Sequence, residues 1–177
     1  MRNAATIQSS PLDSSPLARG ALAMVRIGIA LMWIQNAGWK NPPSFGSVDG
    51  GLYKWANNAV EYPVFPPFSW FVETIFLPGI GFFGWIILFV EVGLGAFLLV
   101  GLATRLWALI GVAQSIVVAL SVLNTPHEWH WAYYLMVLGH LALFATAAGR
   151  FVGLDGVLRP IWLRSPHRTA KLLVVVS

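Results

Sequence analysis

Long apolar segments limit what this chain can fold into more than any other feature of its sequence. Four of them occur, at residues 21–39, 80–103, 106–123 and 131–148. Each is long enough, or nearly so, to cross a hydrocarbon core about 30 Å thick at a rise of about 1.5 Å per residue. With 57% hydrophobic and 10% charged residues, the composition lies outside the range of soluble domains. The sequence therefore predicts an integral membrane protein without a separate soluble catalytic domain.

A bundle of helices is the architecture that these segments favour. Backbone groups in lipid must form hydrogen bonds internally, so we expect an all-α membrane domain of four transmembrane helices over residues 21–148. In the first outer connection, the stretches "GGLYKWANNAVE" and "FSWFVETIF" lie between prolines and glycines and predict short amphipathic helices at the membrane surface. Residues 1–20 are expected to form a polar tail. Residues 149–177 form a basic amphipathic tail that suits anionic membrane lipid or, alternatively, a protein partner.

The basic residues indicate how the chain is oriented in the membrane. Two basic residues, Lys40 and Lys54, lie in the connections expected on one side, whereas eight lie on the side of the termini. These eight are Arg2, Arg19, Arg105, Arg150, Arg159, Arg164, Arg168 and Lys171. An excess of Lys and Arg marks the cytoplasmic side, so both termini are predicted to be cytoplasmic. The net charge of +4 is explained by this bias, and we expect no nucleic acid partner.

A single carboxylate interrupts the second apolar segment, in the stretch "IILFVEVGLG". A charged Glu91 would cost several kcal/mol there, so it is expected to face inward and to be protonated, paired with Arg26 or His140, or exposed to a water-filled cavity. Counting depth from the segment ends places Gln114 and His140 near the same level. Arg26 could reach Glu91 or snorkel to the interface. Gly95, four residues after Glu91, lies on the same helix face and lets a neighbouring helix or a ligand come close.

Several kinds of redox chemistry are disfavoured for this chain. The sequence has no cysteine, which removes thiol chemistry, cysteine-ligated iron–sulfur clusters and covalently attached haem. A bis-histidine haem is disfavoured because only His140 falls inside a predicted span. The stretch "GIGFFG" opens a membrane helix instead of a βαβ unit, so it predicts no nicotinamide or flavin dinucleotide site. "HEWH" lacks the spacing of a zinc-binding motif, and no metal site is predicted.

Sequence motifs along nearly the whole chain resemble those of a known membrane family. In order, they are Arg26, "NAGWK", Glu91, "GLATR" and "AAGRFVGLDGVLRP". Together they are similar to the DoxX-like membrane proteins. The stretches "GLYKW", "VFPPFSWFVE" and "SVLNTPHEWHWAYYLMVLGHLALF" resemble the DoxD branch more specifically. DoxD is the small membrane subunit associated with thiosulfate:quinone oxidoreductase, and the resemblance covers residues 26–158.

The resemblance implies a bacterial or archaeal cytoplasmic membrane protein that helps to oxidise thiosulfate to tetrathionate. Electrons would pass to membrane quinone, the substrate, and a second small subunit would take part. In this hypothesis Glu91 or His140 donates protons to quinone, while Arg26 sets the charge state of Glu91 and Gln114 helps to line the pocket.

Thiosulfate is a dianion and requires cations. If it is handled on the outer side, Lys40 is a candidate, together with Lys54, His127 and His130. If it is handled on the inner side, Arg105 is a better candidate, with Arg150 and Arg159.

Two other functions fit the same residues. The chain could be a non-catalytic scaffold in which an Arg26–Glu91 pair fixes helix register and the basic tail recruits a redox or respiratory partner. Transport of a small solute is less favoured, because four helices without a detectable repeat are few for alternating access.

Overall fold

The computed structural model describes residues 15–47 and 51–177, and this described part is helical without strands. Predictions about residues 1–14, including Arg2, and about residues 48–50 lie outside it. The main helices are α1 (Pro16–Gly38), α2 (Gly51–Glu61), α3 (Pro66–Phe71), α4 (Ile80–Val100), α5 (Thr104–Val122), α6 (His130–Thr146), α7 (Leu154–Arg164) and α8 (Arg168–Val176). Short 3-10 turns lie at Pro42–Ser44 and Ala148–Arg150, and a π-helical turn at Val72–Phe76 continues α3.

Three helices of the described part are long and apolar enough to cross a membrane, namely α1, α4 and α5. The helix α6 has 17 residues, which corresponds to about 25 Å, somewhat less than the hydrocarbon thickness. The chain is therefore a helical membrane protein, and its fourth span stays a prediction. Helix α4 ends at Val100, before the predicted boundary at residue 103, because Gly101 and Ala103 adopt left-handed backbone conformations.

Two helix pairs build the bundle: α1 packs mainly against α4, and α5 packs mainly against α6. Between them lies a core of fully buried residues that includes Ala30, Leu94, Leu98, Ala108 and Leu143. The close approach of α1 to α4 depends on glycine. A Cβ atom added at Gly95 would lie 2.6 Å from Ile34 Cγ1 and 3.4 Å from the Ile34 backbone nitrogen, so a side chain there would require Ile34 to shift.

The first connection folds onto one end of this bundle. Helices α2 and α3 form where short helices were predicted, and α2 packs against α5. Phe45, Leu52, Ala59, Val72 and Ile80 form a second buried apolar cluster there. A Cβ atom at Gly84 would collide with the Phe45 ring, so this glycine lets the connection seat against α4. Its position at the membrane surface stays a prediction.

Large apolar side chains cover the outside of the bundle. Met32 is 60% exposed, Phe89 is 67% exposed and Leu138 is 58% exposed, on α1, α4 and α6 respectively. Broad apolar surfaces of this kind suit a hydrocarbon solvent better than water. Inside the bundle, by contrast, Arg26, Lys40, Glu91, Gln114 and His140 are buried.

Candidate functional site

A buried ion pair lies between α1 and α4. Lys40 Nζ is 2.5 Å from Glu91 Oε2, and the two side chains are 3% and 1% exposed. From α5, Gln114 Nε2 donates a hydrogen bond of 3.3 Å to Glu91 Oε1. Lys40, Glu91 and Gln114 therefore form one polar cluster, which we call the Lys40–Glu91–Gln114 cluster. A charge buried in this way is stabilised chiefly by its partner, and the loss of either partner is costly.

Lys40 reaches Glu91 because α1 ends just before it. The helix ends at Gly38, and the Lys40 side chain folds back so that Nζ donates to the carbonyl oxygen of Asn36 at 3.1 Å. The ammonium also lies 4.1 Å from the centroid of the Trp39 ring. Helix C-termini attract cations, and an aromatic face adds to this attraction. Lys40 was predicted on the outer side as a cation for thiosulfate, but the structure buries it against Glu91.

His140 belongs to a neighbouring polar cluster. Trp33 Nε1 donates a hydrogen bond of 2.8 Å to His140 Nε2, and His140 Nδ1 is 2.7 Å from the carbonyl oxygen of Met136. Because Nε2 accepts and the carbonyl needs a donor, the imidazole is neutral with its proton on Nδ1. Ser115 Oγ lies 3.5 Å from the same nitrogen. Both ring nitrogens thus have protein partners, and the contacts found for His140 do not include Glu91.

Gly111 makes room for this histidine. A Cβ atom added at Gly111 would lie 2.0 Å from His140 Cδ2, a distance at which the ring could not keep its position. The pairing of α5 with α6 therefore depends on a glycine opposite the imidazole.

Arg26 does not pair with Glu91. Its guanidinium is buried and donates to the carbonyl oxygens of Leu98, Leu99 (2.8 Å) and Val152 (2.9 Å). The first two carbonyls belong to the last turn of α4, where the intrahelical donors are missing. Arg26 was predicted either to reach Glu91 or to snorkel. Instead it caps the C-terminal end of α4 and ties α1 to the segment before α7.

Asp155 holds the same end of the bundle together. Its carboxylate accepts hydrogen bonds from the backbone N–H groups of Ala103 (2.7 Å) and Thr104 (2.9 Å). Asp155 therefore caps the start of α5. Its own N–H donates to the carbonyl oxygen of Gly101 at 2.8 Å. A Cβ atom at Gly149 would lie 1.9 Å from Thr104 Oγ1. The "GLATR" and "AAGRFVGLDG" stretches therefore form one interlocked turn.

Arg105 lies away from the buried cluster. Its guanidinium is 4.8 Å from the centroid of the Phe144 ring, and Nη1 is 3.5 Å from the carbonyl oxygen of Val175 in α8. An open groove at this end of the bundle, between the end of α4 and α7, is lined by residues that include Leu99, Arg150 and Gly153 but not Arg105. The structure therefore places Arg105 at the other end of the bundle from Lys40.

Comparison with protein families gives a match over residues 21–175, and the matching family is described as the small subunit DoxD of TQO. The chain belongs to the DoxD family. No curated protein and no solved structure matches this DoxD chain. The match covers every helix described above apart from the first five residues of α1 and the last residue of α8.

Lys40 was predicted to have a different role, and two other residues of this DoxD chain that organise the interior, Trp33 and Asp155, were not identified from the sequence. Lys40 was placed at the surface because it follows the apolar segment. Trp33 lies seven residues before Lys40, and this helical spacing is the signal in the sequence that points to it. Asp155 is the only acidic residue in the basic tail, residues 149–177, and this isolated charge is the feature of the sequence that could have identified it.

Metal-binding side chains do not converge in the described part of this DoxD chain. Within residues 15–47 and 51–177, no group of three or more His, Cys, Asp or Glu side chains could hold a metal ion. The prediction that the chain has no metal, haem, iron–sulfur or flavin site stays a prediction.

Proposed function

We propose that this chain is the membrane subunit of a quinone-linked oxidoreductase that oxidises thiosulfate to tetrathionate. The observation that supports this most is the DoxD family match over residues 21–175. Two thiosulfate dianions lose two electrons and join through a new S–S bond. Quinone accepts those two electrons together with two protons and becomes quinol. The active protein is a complex with a second small subunit in a bacterial or archaeal cytoplasmic membrane.

The Lys40–Glu91–Gln114 cluster supplies the protons in this proposal. A buried carboxylate and ammonium share protons readily, because in a low-dielectric interior the charged and neutral pairs are close in free energy. Among the described residues, Glu91 Oε2 has the Lys40 ammonium beside it and makes no hydrogen bond that satisfies normal geometry. That oxygen is buried against the Lys40 ammonium, so a quinone oxygen or a water molecule reaches it only when the side chains around it move apart. Gln114 orients the carboxylate by donating to its other oxygen.

Arg26, Gly95 and His140 take positioning roles in this proposal. Lys40 replaces Arg26 as the cation that sets the state of Glu91, since Arg26 is engaged by backbone carbonyls. His140 holds α6 against α1 through Trp33. Gly95 brings α1 close enough to α4 for Lys40 to meet Glu91.

Handling of thiosulfate is shared with the partner subunit. The chain has no cysteine and thus no thiol of its own to carry sulfur or electrons. Lys40 is committed to Glu91, so Lys54 on α2, with His127 and His130, provides the basic groups at that end of the bundle. Arg105 and the basic helices α7 and α8 provide them at the opposite end, where they also contact anionic lipid. Both termini are cytoplasmic in a four-span topology.

A matched pair of variants in the copurified complex tests this function. Glu91→Gln removes the carboxylate at nearly constant volume, and Glu73→Gln makes the same change at an exposed position. We expect thiosulfate-dependent quinone reduction to fall by about 10²-fold or more in Glu91→Gln, the scale of one acid–base group, and to be unchanged in Glu73→Gln. Quinone extracted from the purified complex is the accompanying measurement. If the wild-type complex with its partners does not turn over thiosulfate, the proposal is wrong.

The alternative is a non-catalytic membrane scaffold, and one observation favours it. Lys40, Glu91 and His140 are enclosed by protein atoms, with side chains that are almost fully buried. In that case Glu91→Gln would weaken assembly with the partner subunit and leave the turnover of each assembled complex unchanged. Measuring the recovered complex and its specific activity in one preparation separates the two functions.

A further inference from the structure

The two directions leading away from Glu91 along the bundle are chemically different. One leads past Lys40 to the end of α1, and the other leads along α4 towards Arg26. This difference bears on a question that the proposed function leaves open, namely from which side of the membrane the protons for quinone come.

Towards the end of α1, ionisable and hydrogen-bonding groups continue almost to the surface. Lys40 Nζ touches both Glu91 and the carbonyl oxygen of Asn36. Its neighbours in the chain, Trp39 and Asn41, are exposed. Trp39 Nε1 donates to Asn36 Oδ1 at 3.2 Å in an exposed hydrogen bond. Among the described residues, the Lys40 side chain therefore links the Glu91 carboxylate to groups at the exposed end of α1.

In the opposite direction, the interior beyond Glu91 is apolar apart from the Trp33–His140 pair, and both ring nitrogens of that histidine already have protein partners. Leu94 and Leu98 follow Glu91 on the same face of α4, and both are 0% exposed. Ala30 from α1, Ala108 from α5 and Leu143 from α6 complete this layer, each at 0% exposure. From Glu91 to Leu98 the helix rises about 10 Å. A proton crossing that distance would find no acceptor among these side chains, because such a layer excludes water.

A fixed positive charge lies beyond this apolar layer. Arg26 is 1% exposed, and its guanidinium bonds to the carbonyl oxygens of Leu98 and Leu99. Arginine does not lose its proton in proteins, so it is not a relay, and its charge repels an approaching proton. Asp155, the nearest acid at that end, is engaged by the backbone of Ala103 and Thr104.

We propose that protons reach Glu91 only from the end of the bundle at which α1 terminates, by way of Lys40. The inference rests on the proposed function, since it names the source of the two protons that quinone takes up. A proton from water on that side passes to the Lys40–Glu91 pair, which hands it to the quinone oxygen as an electron arrives from thiosulfate. Two such transfers complete the quinol and return the pair to its starting state.

Side-specific labelling in sealed vesicles tests this access route without requiring turnover. The chain has no native cysteine, so single-cysteine variants are clean reporters. Ser47→Cys and Thr169→Cys, both at exposed positions, report the two ends of the bundle. A small, cationic, membrane-impermeant methanethiosulfonate is the probe, added to one side at a time. Glu91→Cys should react about tenfold faster or more from the side that labels Ser47→Cys, because charged reagents do not enter apolar layers.

Matched controls make this labelling decisive. Leu98→Cys, in the apolar layer, should remain unlabelled from either side. Gln114→Cys replaces Glu91→Cys if the latter does not fold. Faster labelling of position 91 or 114 from the Thr169 side, equal labelling from both sides, or no labelling from either side overturns the inference.

A second measurement follows the protons themselves. In proteoliposomes of the active complex, one pH dye is trapped inside and another is added outside, and the Ser47→Cys reporter gives the orientation. Proton uptake during quinol formation should occur on the Ser47 side, and uptake on the Thr169 side overturns the inference. A preparation that forms no quinol contradicts the proposed function, while the labelling result still decides the question of access.

Discussion

A lysine at the end of α1 holds its ammonium against a carboxylate near the middle of α4. Neither residue could be buried alone in its charged form without a cost of several kcal/mol, a large share of the net stability of a typical protein. Together, with Gln114 as a third member, they are tolerated. The pair therefore adds little net stability, but each charge can remain buried only while its partner is present.

Removing one member of this pair should destabilise the protein more than removing both. Lys40→Met leaves the Glu91 carboxylate without its cation and should cost about 3–5 kcal/mol of unfolding free energy. The double variant Lys40→Met/Glu91→Gln should recover a large part of that loss. Unfolding in mixed detergent micelles measures the unfolding free energy of the single and the double variant. Lys54→Met, the same change at an exposed position on α2, is the control and should be nearly neutral. Additive losses in the double variant would contradict the pairing.

Even the smallest side chain should be harmful at Gly111. A methyl group there would collide with the imidazole of His140, so Gly111→Ala should break the Trp33–His140 hydrogen bond and cost about 1–3 kcal/mol. Gly81→Ala is the matched control, because a Cβ atom at Gly81 meets nothing within 4 Å. Because alanine has a higher helix propensity than glycine, Gly81→Ala should leave the stability of the protein unchanged or slightly raised. Equal thermal stabilities of the two variants would show that His140 is not tightly packed.

At the scale of elements, the turn between α4 and α5 is held in place by a residue far along the chain. Gly101 and Ala103 both have positive φ angles, of 68° and 48°. The left-handed conformation costs Ala103 about 1 kcal/mol. Asp155 offsets that cost by accepting hydrogen bonds from Ala103 and Thr104. The α4–α5 hairpin and the α7 segment therefore depend on each other.

Asp155→Asn should loosen this turn. The amide keeps the size of the carboxylate but presents N–H groups to backbone N–H groups, so at least one cap is lost, at about 1–3 kcal/mol. We expect faster hydrogen exchange at Ala103 and Thr104 and a lower unfolding midpoint. Glu73→Gln, on the π-helical turn, serves as the exposed control and should change neither. Unchanged exchange at Thr104 in Asp155→Asn would rule out the capping role.

The contrast between Gln114 and Lys40 shows what the sequence could and could not predict. Helix periodicity and depth counting were enough to expect Gln114 near Glu91, since both lie in long apolar helices whose levels can be counted from their ends. Lys40 lies past a helix end, where the chain direction is not fixed by periodicity and a flexible side chain spans about 6 Å. The depth of Arg26 in the first helix could be counted from the sequence, but two of its backbone acceptors, the carbonyl oxygens of Leu98 and Leu99, are available to it only because α4 ends at Val100. Helices are predictable from local sequence, whereas ends and turns depend on distant partners.

At the scale of the whole molecule, the number of spans decides the position of the C-terminal helices. If α6 crosses the membrane despite its 17 residues, His130 and Ser47 lie on one side and Thr169 lies on the other. We therefore expect His130→Cys and Ser47→Cys to react with an impermeant maleimide from the same side of oriented vesicles, and Thr169→Cys from the opposite side. Labelling of Thr169→Cys and His130→Cys from one side would show that α6 lies in the membrane without crossing it.

The end of α1 also fixes the spacing between two contacts that hold other helices. Trp33 and Lys40 are two helical turns apart, and they hold α6 through His140 and α4 through Glu91. One residue inserted between them would turn Lys40 by about 100° away from its carboxylate, whereas the same insertion among residues 48–50, in the connection, leaves this spacing intact. Insertions and deletions among relatives should therefore be absent from this short stretch, and chains that break the spacing should also have lost the acid in α4.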